Sequence, residues 1–129
     1  MVRLLTSIAL GGALGALLRY AVSGLCYKWL GAVFPYGTLT VNTLGSFLIG
    51  LLWGLFQKST VSPEWRAFLL IGTLGAFTTF STFSLESLQL LQDGEMKLAF
   101  VNIVLNFAFA LIAVFLGIWL ARYSFSIVK

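Results

Sequence analysis

Four long apolar segments dominate the sequence, and they constrain its fold more than any other feature. They cover about residues 4–27, 36–56, 64–91 and 98–121, with short polar breaks between them. Each is close to the roughly 20 residues that a helix needs to cross about 30 Å of hydrocarbon. Because a backbone in lipid must satisfy its own hydrogen bonds, all four are predicted to be helices. The expected fold is an all-α membrane protein, with a single four-helix transmembrane domain over 1–129.

The composition excludes most other classes of protein. Only 9% of the residues are charged and 60% are apolar, whereas a soluble domain carries roughly 25% charged residues. There is no histidine and one cysteine, Cys26, so an intrachain disulfide and a Cys/His zinc site are excluded. The basic residues are scattered singly, which argues against nucleic acid. No catalytic set or phosphate-binding motif is present, and we expect no enzyme activity.

The third segment carries signals for both a helix start and a break. Ser62, Pro63 and Glu64 are typical of a helix N-terminus. Further on, five of the seven residues over 78–84 are hydroxylic. Such side chains compete for backbone hydrogen bonds and Gly75 loosens the helix, so we predict a break at mid-membrane. A break offers carbonyls to a hard cation and helix N-terminal amides to an anion. A continuous Ser/Thr-rich helix is the alternative.

Two kinds of side chain in the apolar segments favour an anion. Arg19 costs roughly 2.5 to 3.5 kcal/mol in a membrane helix, so it must face protein or water. It either snorkels to the helix ends or attracts an anion with its permanent charge. Phe80 and Phe83 share one helix face and are interleaved with hydroxyls. They either pack or present the positive edges of their rings to a small, hard anion.

Buried amides add further hydrogen-bond donors. Asn42 lies in the second segment, and Asn102 and Asn106 lie four residues apart in the fourth. They either join helices or donate to a solute. Glu86 lies past the hydroxyl run, toward the end of the third segment, and is expected at a pore mouth or helix end. Many donors and almost no buried acids indicate an anion path.

Small residues spaced four apart predict close contacts between helices. They are Gly11 with Gly15, Gly12 with Ala16, and the row Ser46, Gly50 and Gly54.

The positive charges that flank the segments encode orientation only weakly. Five lie on the side of the termini and two on the other, a small bias that mildly favours both termini inside the cell. They are Arg3, Lys58, Arg66, Arg122 and Lys129 against Lys28 and Lys97.

Three motifs resemble those of the fluoride channel family, the bacterial fluoride exporters also called Fluc or CrcB proteins. They are GGALGALLRY at 11–20, GTLTVNTLGSF at 37–47 and GAFTTFSTFS at 75–84. They occur in the family's order, and the resemblance covers the whole chain. It implies a homodimer of two copies in opposite membrane orientations, in the inner (plasma) membrane of a bacterium. Two fluoride pathways would run along the subunit interface.

The resemblance also implies which residues act. A central structural sodium ion would be held by the backbone carbonyls of Gly75 and Thr78 of each subunit. Phe80 and Phe83 would face fluoride, and Asn42 would donate to it. The remaining members of the fluoride pathway would be Ser81, Thr82, Arg19 and, by helix face alone, Asn102 and Asn106.

The expected function is therefore passive, fluoride-selective export from the cytoplasm. A proton-coupled small multidrug antiporter is the alternative, since it shares the four-helix size and antiparallel dimer. That mechanism calls for a membrane carboxylate, usually in the first helix, where this chain has Arg19. A membrane subunit without transport activity is a third interpretation, and it leaves the hydroxyl run unexplained.

Overall fold

The computed structural model describes residues 1–127, with side chains as far as Ser124, so Lys129 of the charge count lies outside the described residues. Its four helical spans are long and apolar enough to cross a membrane. The prediction of an all-helical, multi-pass membrane protein is thus confirmed. The elements are α1 (Val2–Leu30), α2 (Tyr36–Phe56), α3 (Pro63–Arg66), a π-helix (Ala67–Leu74), α4 (Gly75–Phe77), α5 (Phe80–Gln92) and α6 (Met96–Ile127).

The limits of the spans follow backbone hydrogen bonding rather than the apolar runs. The second span has the predicted limits, whereas the other three extend one to six residues further at their ends. Lys28, for example, lies in the last turn of α1. A cation is favourable there because the carbonyl end of a helix carries a partial negative charge.

The third span is a composite of several helical pieces. It begins where predicted, since Ser62 is the N-cap and its side chain accepts a 3.4 Å hydrogen bond from the Trp65 N–H. The π-helix that follows was not predicted. Within it the Thr73 hydroxyl donates to the Phe68 carbonyl, five residues back, at 2.9 Å. That spacing matches the wider turn of a π-helix, which is frequent at functional sites.

The predicted break in the third span is present. Thr78 and Thr79 have extended backbones, with ψ angles of 157° and 117°, and they separate α4 from α5. The alternative of a continuous helix is therefore wrong. The carbonyl end of α4 and the amide end of α5 meet at this point.

Glycines allow the helices to approach closely on two sides of the break. A Cβ atom at Gly15 of α1 would overlap the Thr73 carbonyl of the π-helix. A Cβ atom at Gly50 of α2 would likewise overlap the Val114 carbonyl of α6. Gly12 differs, because no described atom lies within 4 Å of its hypothetical Cβ. Gly12 of the predicted Gly12–Ala16 pair thus makes no such contact with the described residues.

We predict that Gly15→Ala destabilises the protein and Gly12→Ala does not. The added methyl group at Gly15 forces α1 away from the π-helix, an overpacking that costs about 1–3 kcal/mol. At Gly12 the same change meets open space. Thermal unfolding in detergent provides the comparison. Equal melting temperatures for the two variants would contradict the proposed closeness of α1 and the π-helix.

Candidate functional site

The side chain of Asn42 holds the break together. Its amide donates to the Thr79 carbonyl at 3.1 Å, and its oxygen accepts from the Thr79 N–H at 2.8 Å. Both polar groups of this backbone unit are thereby satisfied by one residue of α2. Unpaired N–H and carbonyl groups are costly at membrane depth. The extended backbone at Thr79 therefore depends on its two hydrogen bonds with Asn42.

Two N–H groups that would continue the helix are redirected at the break. A continuous helix would direct the Thr79 N–H to the Gly75 carbonyl and the Thr82 N–H to the Thr78 carbonyl. Instead the first donates to Asn42 and the second donates to the Thr79 hydroxyl at 3.2 Å. The carbonyls of Gly75 and Thr78 thus lose their helical donors.

The three asparagines form one chain of hydrogen bonds. Asn42 donates to the Asn106 side-chain oxygen, Asn106 to that of Asn102, and Asn102 to the Ser87 hydroxyl, each at 2.9 Å. Ser87 donates to the Phe83 carbonyl at 2.8 Å. Because Asn42 donates to both Thr79 and Asn106, its two amide hydrogens are both engaged. Donation to an ion would require one of these bonds to exchange.

The two predicted aromatic rings lie together at the N-terminus of α5. The centroids of Phe80 and Phe83 are 5.5 Å apart, and Phe83 meets Phe107 edge-on at 6.0 Å. Phe83 is buried, whereas Phe80 is 70% exposed. A groove of about 350 Å³ runs past these rings, and its lining includes Asn42, Asn106, Gly75, Thr78, Thr79, Phe80 and Phe83.

Arg19 lines a second cavity, of about 530 Å³, together with Thr79 and Thr82. Within the described part of the chain its guanidinium makes no hydrogen bond or ion pair. Thr79 lies in the wall of both the groove and this cavity. The break therefore lies between a ring-lined groove and a cavity whose Arg19 has no charge partner among the described residues.

Two predicted residues lie apart from these two spaces. Ser81 is exposed on α5, and Asn102 is completely buried beneath the groove. Neither lines the groove or the Arg19 cavity. Asn102 supports the groove through its bond to Asn106, and Ser81 lies 3.4 Å from the Thr79 hydroxyl.

Sequence reasoning missed the partners of Glu86. The Tyr27 hydroxyl donates to its Oε1 atom at 2.7 Å, and the Thr38 hydroxyl donates to the same atom at 2.9 Å. These partners are 59 and 48 residues away in sequence. The available signal was the acid itself, because an ionisable side chain inside a membrane calls for polar partners.

Together the fold and the site define a four-span membrane protein with a broken helix, rich in hydrogen-bond donors and with an unpaired cation beside the break. The family model of CrcB-like proteins, described as Camphor Resistance (CrcB), matches residues 6–118. The chain belongs to this family, as the three sequence motifs predicted.

Several relatives are similar over most of their length, and all three described here are named fluoride-specific ion channel FluC. The protein from Shewanella amazonensis is 52% identical over 85% of this chain and 89% of its own. That of Magnetococcus marinus is 50% identical over 89% and 94%. That of Hydrogenovibrio crunogenus is 50% identical over 95% and 93%. The family is one of channels, which confirms the expectation that the chain is not an enzyme.

We predict that Asn42→Leu lowers stability far more than a change at its neighbour Thr43. Leucine removes the hydrogen bonds to Thr79 and leaves its backbone unpaired, at a cost of roughly 2–4 kcal/mol. The Thr43 hydroxyl is buried without a partner among the described residues. Thr43→Val should therefore be neutral or stabilising.

Thermal unfolding in detergent measures the stability of both variants. Hydrogen exchange at the Thr79 amide reports directly on the hydrogen bonding at the break. Unchanged protection of that amide in Asn42→Leu would show that Asn42 does not hold the Thr79 backbone in place.

Proposed function

We propose that this protein is a fluoride-selective ion channel through which fluoride leaves the cytoplasm passively, without covalent chemistry or energy coupling. The observation that carries the proposal is the groove in which the rings of Phe80 and Phe83 lie beside Asn42 and the broken helix. Relatives that share about half of their residues with this chain are named fluoride-specific ion channels, which supports it.

Fluoride is small and strongly hydrated, so a path for it must replace water with donors. Arg19 attracts the anion to its cavity, which Thr82 also lines. Ser81 lines neither space within one copy, and its exposed hydroxyl joins the track where the second copy completes the walls. Asn42 and Asn106 donate to the ion by exchanging a bond to a protein acceptor for one to fluoride. The ring edges of Phe80 and Phe83 carry partial positive charge and add contacts that need no charged ligand.

The functional unit is a homodimer of two copies in opposite membrane orientations, with two pathways along their interface. One copy has too few helices to enclose an ion path. The exposure of Phe80 and Ser81 beside the groove supports a second copy that completes the walls. The bias of five flanking Lys and Arg against two is small enough to allow insertion in both orientations.

A structural sodium ion is the remaining component. The carbonyls of Gly75 and Thr78 are suited to bind this sodium ion, because the N–H groups that would donate to them in a continuous helix donate elsewhere. Carbonyl oxygens are suitable ligands for a hard cation. The sodium charge would neutralise the carbonyl ends of the α4 helices. We assign the protein to the inner membrane of a bacterium, which its four apolar spans support.

The multidrug antiporter is not favoured. Its mechanism calls for a carboxylate in the first helix, and α1 carries Arg19 and no acid. The relatives named above are channels.

Purified protein in liposomes is predicted to release fluoride and to retain chloride. A fluoride electrode follows the efflux once potassium is made permeant, and chloride-loaded vesicles provide the comparison. Absence of fluoride release from folded protein would refute the channel. Equal release of chloride would refute its selectivity.

We expect Phe80→Ile to fold normally but to conduct fluoride at least tenfold more slowly. Isoleucine keeps an apolar side chain but lacks the polarised ring edge. Phe115→Ile is the matched control, because Phe115 on α6 has nearly the same exposure, 68% against 70%. The measurement is the initial efflux rate from liposomes. An unchanged fluoride efflux rate in Phe80→Ile would show that the Phe80 ring contributes only packing.

Sodium is expected to raise the melting temperature of the detergent-solubilised protein above that in choline at equal ionic strength. Potassium should have a smaller effect if the carbonyl site is selective. A ligand that binds only the folded state stabilises it in proportion to the logarithm of its concentration. The same melting temperature in sodium and choline would contradict the carbonyl site.

A further inference from the structure

Three cavities follow one another through the chain and share wall residues. The ring-lined groove and the Arg19 cavity share Thr79. The Arg19 cavity and a third space of about 390 Å³ share Tyr27 and Glu86. This third space lies at the end of α5, where Asp93 and Glu95 line it. It is the water-facing mouth of the series, because both acids lie in the turn between α5 and α6.

The cluster of Tyr27, Thr38 and Glu86 stands where the mouth meets the Arg19 cavity. Its members come from α1, α2 and α5, and both hydroxyls donate to the same carboxyl oxygen, Oε1. The other oxygen, Oε2, is buried and has no hydrogen-bond partner among the described residues. The carboxyl is thus held in place through one oxygen only, by two hydroxyl donors.

The cluster also separates two electrostatic environments. The deeper cavity contains Arg19, and the mouth contains Asp93 and Glu95. An anion is favoured on the inner side and repelled by the acids on the outer side. A closed cluster therefore retains an anion beside Arg19, and a brief opening releases it to the mouth.

We propose that Tyr27 and Thr38 are positioning residues that hold Glu86 across the passage between these cavities, so that breaking the Tyr27–Glu86 hydrogen bond limits the passage of fluoride. The proposal rests on the proposed function, since it assigns the passing ion to fluoride. The Glu86 side chain blocks the passage while the Tyr27 and Thr38 hydroxyls hold it in place.

Tyr27→Phe tests this directly, because it removes the hydroxyl and keeps the ring. We expect the initial rate of fluoride efflux from liposomes to rise roughly three- to tenfold, the range that loss of one hydrogen bond implies. Thr38→Val should change the rate in the same direction, and Thr38→Ser, which keeps a hydroxyl, should restore it. Tyr36→Phe is the control, since Tyr36 packs against Phe34 and lines neither cavity.

Misfolding can only lower the fluoride efflux rate per reconstituted protein. An increased efflux rate therefore distinguishes a Glu86 side chain that blocks the passage from a merely structural contact. An equal or slower rate in folded Tyr27→Phe would overturn the proposal. So would a parallel rise in chloride efflux, because the variant would then have lost its packing. If Tyr27→Phe fails to fold, the pair Thr38→Val and Thr38→Ser decides by the same criterion. A wild-type protein that releases no fluoride refutes the channel itself and is recognised before any variant is compared.

Discussion

The carboxamide of Asn42 satisfies both polar groups of the Thr79 backbone, and the rest of the site depends on that pairing. Hydrocarbon offers no hydrogen bonds, so a helix can break at membrane depth only where protein or water satisfies the freed groups. One side chain on α2 does this here. The break then leaves the carbonyls of Gly75 and Thr78 without helical donors and places Phe80 at the start of a new helix.

Hydrogen-bond direction makes the site rich in donors, as the proposed anion path requires. The asparagine chain donates from α2 through α6 towards Ser87 on α5, and the hydroxyls of the broken helix supply further donors. Arg19, in the middle of the first span, has no hydrogen-bond or ion-pair partner in the described part of the chain and lines the cavity beside the break. The acid Glu86 in the third span is held by two donors and does not line the groove.

Much of this arrangement was predictable because it is local in sequence. The apolar segments predicted the four spans, the Ser62 cap predicted where the third begins, and the hydroxyl run predicted its break. The π-helix was missed, since it results from Thr73 bonding five residues back while the α1 glycines press against it. The motifs also predicted the family, and they indicated Phe80, Phe83 and Asn42 as site residues.

The sequence by itself determined that the chain lies in a membrane, that its third helix is interrupted and that donors outnumber acids. Those properties follow from composition and local spacing, which act through solvation and backbone hydrogen bonding. Only the tertiary structure decided which donors meet. It brought Tyr27 and Thr38 to Glu86 and engaged both amide hydrogens of Asn42, because contacts across 37 to 64 residues depend on how the helices pack.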